Sequence, residues 1–319
     1  MPRRFLSGGH LQTLVSHILP RKNGLSAPEE RLFQVDTDVQ VLCHCHWQPD
    51  RAQRTTIIIV HGLEGSSESQ YVVGTSNKAW DLGMNVVRMN MRNCGGSEKL
   101  TPTLYNCSMS GDVGAIVRTL IEGDGLQSIA LAGFSMGGNL VLKLAGEWHT
   151  DAPRQLAAVT AVSPIIDLSP SSAALHDWQN RLYEYRFLRD LHDSVSRKAK
   201  LYPDRYKTYP VFSIRSLREF DDKITAPHGG FKDAEDYYHR AGSAQVVHRI
   251  AVPTLIIHSL DDPFIRLTHE TRSKILANPH IRYLETRHGG HCAFLAQADG
   301  YDGRWAERTL LEFVREFAA

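Results

Sequence analysis

Gly133-Phe134-Ser135-Met136-Gly137 has the pattern G-x-S-x-G and lies where a strand-like segment gives way to a helix-like one. Residues 128–132 form a short apolar run typical of a buried strand, and residues 139–145 are typical of a helix. In a turn this tight a Cβ at either glycine would clash, and the serine hydroxyl is left exposed at the top of a sheet. The stretch therefore predicts a nucleophilic serine. The alternative is a glycine-rich turn from strand to helix whose serine has no catalytic role.

Two polar turns follow later strands, in the chain order nucleophile, acid, histidine that this motif requires. The apolar run 253–259 is followed by Asp261-Asp262-Pro263, and the shorter run 281–284 by His288-Gly289-Gly290-His291. Each run is typical of a strand, and each turn is marked by glycine or proline. The pattern predicts an acid and a base that meet Ser135 at one edge of a sheet.

Each of these two turns offers two candidate residues. Asp-Pro followed by two apolar residues resembles the acid turn of many α/β-hydrolases, which favours Asp262 and makes Asp261 a solvated or turn-capping carboxylate. The order Gly-Gly-His resembles the histidine loop of the same family, which favours His291 and leaves His288 at the surface or behind the site. Asp167, just after an earlier strand, is a reserve candidate for the acid.

A loop upstream of the serine predicts a site for negative charge. His61-Gly62-Leu63-Glu64-Gly65 follows the apolar run 56–60 and fits the pattern H-G-x-x-G after the third strand. In hydrolases with this elbow, one amide of that loop and the amide just after the nucleophile stabilise the oxyanion of the attacked carbonyl. We therefore expect the backbone N–H groups of Leu63 and Met136 to form an oxyanion hole. A plain strand-ending turn is the alternative.

Five segments together resemble the YheT-like branch of the α/β-hydrolases, and the resemblance covers nearly the whole chain. That branch is similar to embryogenesis-associated hydrolases of plants and to membrane-anchored lipid hydrolases of animals. The resemblance implies hydrolysis of carboxylic esters by Ser135, Asp262 and His291, and it implies no particular natural substrate. The segments are residues 7–14, 61–67, 92–97, 133–139 and 261–264.

Composition agrees with a cytoplasmic enzyme. Lysine and arginine number 36 against 35 acids, which argues against a nucleic-acid partner that binds a broad basic face. Five cysteines without paired spacing favour a reducing compartment. Residues 1–28 have no sustained apolar core, so we expect no secretory signal. The uncharged window 125–142 is explained by a strand, the elbow and a helix, so we expect no stable membrane insertion.

Alternation of strand-like and helix-like segments predicts an α/β fold with a mostly parallel central sheet flanked by helices. Residues 167–250 are too many for one crossover, so we expect a helical cap inserted after the sixth strand, with a hydrolase core formed by residues 1–166 and 251–319. Twelve of the chain's 27 aromatic residues fall between 168 and 250. They would form the cap's own core or line a pocket for a small-molecule ester with an apolar acyl or alcohol part.

The cysteines invite other readings, which we rank lower. Cys43-His44-Cys45-His46 lies in a predicted strand, where alternate side chains face opposite ways and cannot close one tetrahedral metal site. Cys94 and Cys292 have no base of their own at triad spacing, so we interpret both as passive thiols. We expect neither a metal nor an organic cofactor.

Three functions are consistent with these sequence features. The first is a serine hydrolase that cleaves carboxylic esters through an acyl-enzyme. The second is an acyltransferase with the same triad, in which an alcohol, amine or thiol replaces water. The third is a non-catalytic binding protein on a hydrolase fold. The sequence favours the first, because every part of the catalytic apparatus has a candidate.

Overall fold

The computed structural model describes residues 3, 5–206 and 213–318. Its strands form one sheet in the order β1-β2-β4-β3-β5-β6-β7-β8. β1 pairs with β2 and β2 with β4 in antiparallel fashion, and the pairs from β4 onward to β8 are parallel. The strands are β1 Glu29–Asp36, β2 Val39–His46, β3 Thr56–Val60, β4 Asn85–Met89, β5 Ile129–Phe134, β6 Leu156–Val162, β7 Thr254–Ser259 and β8 Ile281–Thr286.

Helices cover both faces of the sheet and fill the connection between β6 and β7. The helix α1 at the start of the chain was not predicted as a helix from the sequence. The helices are α1 Gly9–Ile18, α2 Gln70–Asp81, α3 Ser110–Glu122, α4 Met136–Trp148, α5 Leu168–Leu175, α6 Arg181–Leu201, α7 Leu217–Phe220, α8 Ala226–Gly229, α9 Ala234–Ala241, α10 His269–Ala277 and α11 Trp305–Phe317.

The core lies on the two faces of the central strands. Every residue of β3 is buried, because helices cover both sides of a parallel sheet. Ile58 and Val60 pack in one cluster with residues of α3 and α4, while Ile57 and Ile59 pack in a second cluster with residues of α2 and α11. The alternation of side chains along the strand therefore divides the core into two layers.

Helices α5 to α9 form the segment that the sequence predicts as a cap, and they follow the sixth strand as expected. Leu188, Leu191 and Val195 of α6 pack with Phe220 and Ile224 in a separate small apolar cluster. The mostly parallel sheet with a helical insertion after β6 confirms the predicted fold class. The division at residues 166 and 251 stays a prediction. Tyr209 and Phe212, counted among the cap's aromatic residues, lie outside the described residues.

The alternation predicted for residues 43–46 is present in β2. Cys43 and Cys45 are buried in the apolar core, whereas His46 lies near Arg88 and the ring of Trp80. Burial and the neighbouring Arg88 lower the pKa of His46 to about 4. Across the described ranges, no group of three or more histidine, cysteine or acidic side chains is placed to hold a metal ion.

Candidate active site

Ser135 occupies a strained turn between β5 and α4. Its backbone has φ 53° and ψ −114°, a conformation that residues with a Cβ rarely adopt. A Cβ on Gly133 would lie 2.2 Å from the carbonyl oxygen of Gly137, and one on Gly137 would lie 2.3 Å from that of Val60. Only glycine at both positions allows the turn to be this sharp.

The structure brings Ser135, His291 and Asp262 together. The Nε2 atom of His291 lies 2.9 Å from the Ser135 Oγ, and its Nδ1 lies 2.9 Å from Asp262 Oδ2. An ionised carboxylate accepts hydrogen bonds and donates none, so Nδ1 of His291 must carry the hydrogen in its bond to Asp262. Nε2 is then free of hydrogen and accepts a hydrogen bond from the Ser135 hydroxyl. Of the two candidates in each turn, these are the ones that the sequence interpretation chose.

The Asp262 carboxylate is fully buried and well supplied with donors. Its other oxygen, Oδ1, accepts hydrogen bonds from the backbone N–H of Phe264 at 3.1 Å and of Ile265 at 3.0 Å. Burial opposes ionisation, but His291 and the Ile265 N–H outweigh it and hold the pKa of Asp262 below its usual value. An ionised carboxylate therefore faces the imidazole.

The electrostatic surroundings favour the charged form of His291. Burial lowers the pKa of the imidazole, but Cys292 and the Asp262 carboxylate act in the opposite direction, and the net shift is upward from 6.5. The ring also packs against Phe264, with 4.4 Å between ring centroids. An imidazolium formed when the serine gives up its proton would thus be stabilised in place.

The two residues that the sequence interpretation rejected have other partners. Asp261 Oδ1 accepts the N–H groups of both Gly289 and Gly290 at 2.9 Å, which folds the loop that carries His291. His288 is exposed, with its Nδ1 3.4 Å from Asp261 Oδ2. Of the two alternatives given for Asp261, the turn-capping carboxylate is the one observed.

Asp167, the reserve acid, serves a different element. Its carboxylate accepts hydrogen bonds from the N–H and Oγ1 of Thr268 and from Thr271 Oγ1, and so it holds the start of α10. The distances are 2.8, 3.1 and 2.8 Å. The hydrogen bonds of Asp167 therefore stabilise α10, and the carboxylate at His291 is that of Asp262.

The loop after β3 has a fixed backbone beside Ser135. His61 donates from Nδ1 to the Gly62 carbonyl at 2.7 Å and accepts the Met91 N–H at Nε2, at 3.1 Å. Burial lowers the pKa of His61 to about 4, so the ring is neutral and keeps this arrangement. The ring is therefore a structural part of the loop.

The amides on either side of Leu63 are engaged by tyrosines. Gly62 N–H donates to the hydroxyl of Tyr71, and Glu64 N–H donates to that of Tyr105, both at 2.8 Å. Leu63, Ser135 and Met136 line the same cavity. The oxyanion hole of the Leu63 and Met136 amides stays a prediction.

Helix α1 is a part of the site that the sequence reading did not assign. Thr13 Oγ1 accepts the N–H of His291 at 2.8 Å, and Gln12 Oε1 accepts that of Leu295 at 2.8 Å. A Cβ on Gly9 would lie 1.7 Å from the Asp261 carbonyl oxygen, so the helix touches the acid turn as well. The signal in the sequence is the Gly-His-Leu-Gln-Thr run of residues 9–13, which is part of the segment 7–14 that carries the family resemblance.

The cavity over Ser135 lies between the sheet edge and the cap. Its empty volume is about 930 Å³, including the part that opens to solvent. Two carboxyl groups interrupt an otherwise largely apolar wall. Burial raises the pKa of Glu64 to about 7 and that of Asp221 to about 6. Apolar side chains that line the cavity are Leu63, Leu104, Ile165, Leu168, Leu175, Phe187, Leu191, Val195, Leu217, Phe220, Phe264 and Ile265.

Two thiols lie near the site. Cys94 is buried, and burial raises its pKa well above the usual value, so its reactive thiolate form is disfavoured. Cys292 Sγ lies 3.8 Å from His291 Nε2 and 3.6 Å from the carbonyl oxygen of Val162. Its role as a passive thiol stays a prediction.

Comparison with known proteins agrees with this architecture. The family profile for the alpha/beta hydrolase fold matches residues 55–298. The chain is 32% identical over 326 residues to YheT of Escherichia coli (strain K12), a protein named for an inferred esterase activity, and covers 93% of it with 99% of its own length. The chain therefore belongs to the α/β-hydrolase family and, within it, to the YheT-like branch.

More distant similarities extend to eukaryotes and to solved structures. Phospholipase ABHD3 of Bos taurus is 27% identical over 267 residues, which are 83% of this chain and 64% of that protein. The chain thus spans less than two thirds of that relative. The Pyrococcus furiosus esterase Pf2001 superimposes with a TM-score of 0.60 at 16% identity, covering 99% of this chain and 100% of the other, which shows the shared fold. The curated relatives support an ester hydrolase in the broad sense.

No helix in the described part of the chain is long and apolar enough to cross a membrane.

Proposed function

We propose that this protein is a serine hydrolase that cleaves carboxylic esters through an acyl-enzyme intermediate. The observation that carries the proposal is the position of His291, which lies 2.9 Å from both Ser135 Oγ and Asp262 Oδ2. A serine, an imidazole and a buried carboxylate in this order form the relay that converts a hydroxyl into a nucleophile.

The reaction would proceed in two halves. Nε2 of His291 takes the Ser135 proton as Oγ bonds to the acyl carbon, and Asp262 stabilises the imidazolium. The N–H groups of Leu63 and Met136 donate to the carbonyl oxygen while it is negative. His291 then protonates the leaving alcohol, whose bond to the acyl carbon breaks. Water, deprotonated by His291, attacks the acyl-enzyme, releases the acid and restores the serine.

The cavity supports an ester whose acyl or alcohol part is apolar. Leu104, Leu191 and Val195 contribute to its wall, and their burial of a hydrocarbon chain would stabilise the bound substrate. The glutamate and aspartate in the same wall supply hydrogen-bonding groups for a polar part. This arrangement favours neither water nor an alcohol as the acceptor. Measuring transfer to glycerol against hydrolysis would decide between the two.

Replacement of the nucleophile tests the proposal. Ser135→Ala should lower kcat/KM for a p-nitrophenyl ester by about 10³-fold or more, because the covalent step is lost. A fluorophosphonate probe should label the wild type at Ser135 and leave the variant unlabelled. Ser76→Ala is the matched control, since Ser76 is a buried serine of α2 whose hydroxyl donates to the Val72 carbonyl. Unchanged turnover in Ser135→Ala would refute the mechanism.

The choice of histidine is tested in the same assay. His291→Ala should remove nearly all turnover, because it removes the imidazole that contacts Ser135 Oγ. His288→Ala should keep most of the turnover, since the His288 side chain is exposed and lies beside Asp261. Equal losses in the two variants would contradict the assignment.

A further inference from the structure

The loop after β3 makes a tight turn that contains a strained residue. The N–H of Gly65 donates to the carbonyl oxygen of Gly62 at 3.1 Å, so residues 62–65 form a turn with Leu63 and Glu64 at its two central positions. The backbone of Glu64 has φ 50°, in the left-handed region that residues with a Cβ rarely adopt. Glycine or asparagine is the usual residue where a turn needs a positive φ. A glutamate keeps this conformation only when its surroundings fix it.

A single hydroxyl group fixes Glu64 at two points. Tyr105 Oη accepts the backbone N–H of Glu64 at 2.8 Å and donates its own hydrogen to Glu64 Oε1 at 2.7 Å. The Tyr105 side chain is buried, and burial together with the Glu64 carboxylate raises the pKa of the hydroxyl well above its usual value, so it keeps its hydrogen. One tyrosine from the segment between β4 and α3 therefore holds both the main chain and the side chain of Glu64.

The turn lies directly against the candidate nucleophile. A Cβ on Gly62 would lie 3.2 Å from the Cβ of Ser135, so the backbone of the turn passes close to the serine side chain. Leu63, Glu64 and Tyr105 all line the cavity over Ser135. A shift of the turn would therefore move the Leu63 amide relative to an ester carbonyl bound at Ser135.

The direction of the Leu63 N–H is set by hydrogen bonds on both sides of it. This N–H and the Gly62 carbonyl belong to one planar trans peptide unit, in which the two groups point in opposite directions. The Gly62 carbonyl accepts hydrogen bonds from Gly65 N–H at 3.1 Å and from His61 Nδ1 at 2.7 Å. On the other side of Leu63, the N–H of Glu64 is held by the tyrosine hydroxyl.

From these contacts we infer that Tyr105 is a positioning residue for ester cleavage, which keeps the Leu63 amide directed at the oxyanion by locking Glu64 in its positive-φ conformation. The inference rests on the proposed function. Tyr105 acts through Glu64, because an amide donor stabilises the transition state fully only when it is already oriented toward the developing negative charge. Without the Tyr105 hydroxyl, Glu64 is free to relax to a negative φ, and the turn loses its fixed orientation.

The test removes one hydroxyl group. Tyr105→Phe keeps the ring but removes both hydrogen bonds to Glu64. With a soluble p-nitrophenyl ester, we expect kcat to fall by about tenfold or more and KM to stay within about twofold, because the oriented amide acts on the charge of the transition state and little on the neutral ester. Tyr283→Phe is the matched control, since Tyr283 on β8 also donates to a glutamate, Glu285, at 2.8 Å. This control should keep the kcat of the wild type.

A transition-state analogue separates positioning from a general loss of structure. A trifluoromethyl ketone with a short alkyl chain forms a hemiketal with a serine nucleophile and places an oxyanion where the ester oxygen becomes negative. Its inhibition constant should rise in Tyr105→Phe by about the factor by which kcat/KM falls. The corresponding secondary alcohol develops no such charge and should inhibit the variant and the wild type equally. Urea unfolding verifies that the variant is folded.

Two substitutions of Glu64 test the role of the turn conformation, and they decide the question even if Tyr105→Phe does not fold. Glu64→Ala removes the carboxylate and leaves a residue with a Cβ at φ 50°, whereas Glu64→Gly allows this φ without strain. We expect kcat of Glu64→Gly to exceed that of Glu64→Ala by about threefold. A carboxylate that only lined the cavity would give the same kcat in both variants.

Three results would overturn the inference and leave the serine mechanism in place. The first is an unchanged kcat in folded Tyr105→Phe. The second is an equal loss of inhibition by the ketone and by the alcohol in that variant. The third is an equal kcat in Glu64→Ala and Glu64→Gly. Absence of both ester hydrolysis and fluorophosphonate labelling in the wild type would instead refute the proposed function, and the positioning role of Tyr105 with it.

Discussion

Thr13 holds the backbone of His291, although 278 positions separate them in the chain, because its Oγ1 accepts the His291 N–H at 2.8 Å. The same hydroxyl donates to the carbonyl of Gly9 at 2.8 Å, so its orientation is fixed within α1. The contact ties the first helix to the loop that carries the candidate catalytic base. Thr13 therefore has a positioning role in the proposed mechanism.

Thr13→Val should lower kcat more than it raises KM. Valine keeps the shape of the side chain but leaves the His291 amide without an acceptor, and small displacements of a catalytic group cost up to about 100-fold. Steady-state kinetics with a soluble ester measures the loss, which we expect to be about tenfold. Thr13→Ser should restore most of the activity, because it restores the acceptor. If serine and valine behaved alike, the hydrogen bond would have no positioning role.

The adjacent aspartates should differ sharply when their charge is removed. Asp262→Asn should lower kcat by about 10³-fold or more, because the imidazole loses its anionic partner and can adopt the wrong tautomer. Asp261→Asn should be mild, because the amide oxygen can still accept the Gly289 and Gly290 N–H groups. Asp261→Ala removes that acceptor and should be worse than Asp261→Asn. The reverse order of the two asparagine variants would assign the acid to Asp261.

The pH dependence should report the ionisation of His291. Only the neutral imidazole accepts the Ser135 proton, so kcat/KM should rise with pH as His291 loses its own proton and then level off. Burial lowers the pKa of His291, but Cys292 and Asp262 raise it by a larger amount. The midpoint of the rise in kcat/KM should therefore lie above pH 6.5. In Asp262→Asn the midpoint of any residual activity should move to lower pH, since the carboxylate no longer favours the charged ring.

A second titrating group in the cavity must be separated from this effect. Burial raises the pKa of Glu64 to about 7, so its ionisation falls in the range to be measured. Burial also raises the pKa of Asp221, in the same cavity, to about 6. Repeating the profile in Glu64→Gln/Asp221→Asn removes both carboxyl groups, and the pH-dependent limb that remains should belong to His291. A flat profile between about pH 5 and 9 in both proteins would exclude a histidine base.

The length of the acyl chain should control the specificity constant. Each methylene buried against residues such as Leu191 and Val195 contributes about 0.8 kcal/mol, which is about fourfold in kcat/KM. A series of p-nitrophenyl esters from acetate upward should show this increase until the cavity is filled. Leu191→Asp should reduce the increase of kcat/KM with chain length and should have little effect on kcat/KM for the acetate ester. A wild type that prefers acetate would contradict an apolar acyl site.

Stability should depend on a buried ion pair behind the site. Arg92 donates from Nε and Nη2 to the two oxygens of Asp112 at 2.6 Å, and both side chains are less than a tenth exposed. Asp112→Ala should lower the free energy of unfolding by about 3–5 kcal/mol, because it leaves a buried guanidinium unpaired. Urea unfolding measures the change. Glu312→Ala is the control at an exposed pair with Arg308, where no measurable change is expected.

The sequence by itself determined the sheet, the cap's location and the elbow. Apolar runs such as residues 56–60 and 156–162 indicate buried strands from neighbouring residues alone. Gly133 and Gly137 are needed because a Cβ at either position would clash with nearby backbone. The order of serine, acid and histidine followed from the chain alone. The strands and the elbow depend on residues within a few positions of one another, whereas the location of the cap and the order of serine, acid and histidine follow from the sequence of these local patterns along the chain.

Only the tertiary structure decided which side chains meet. The sequence favours Asp262 over Asp261 only by resemblance to a family turn, and the physical difference between them is that one faces the Gly289–Gly290 amides and the other faces His291. The contacts of α1 with the loop that carries His291 were likewise not predicted from the sequence. Contacts such as that of Thr13 with His291 depend on how distant elements pack, and local periodicity holds no information about that packing.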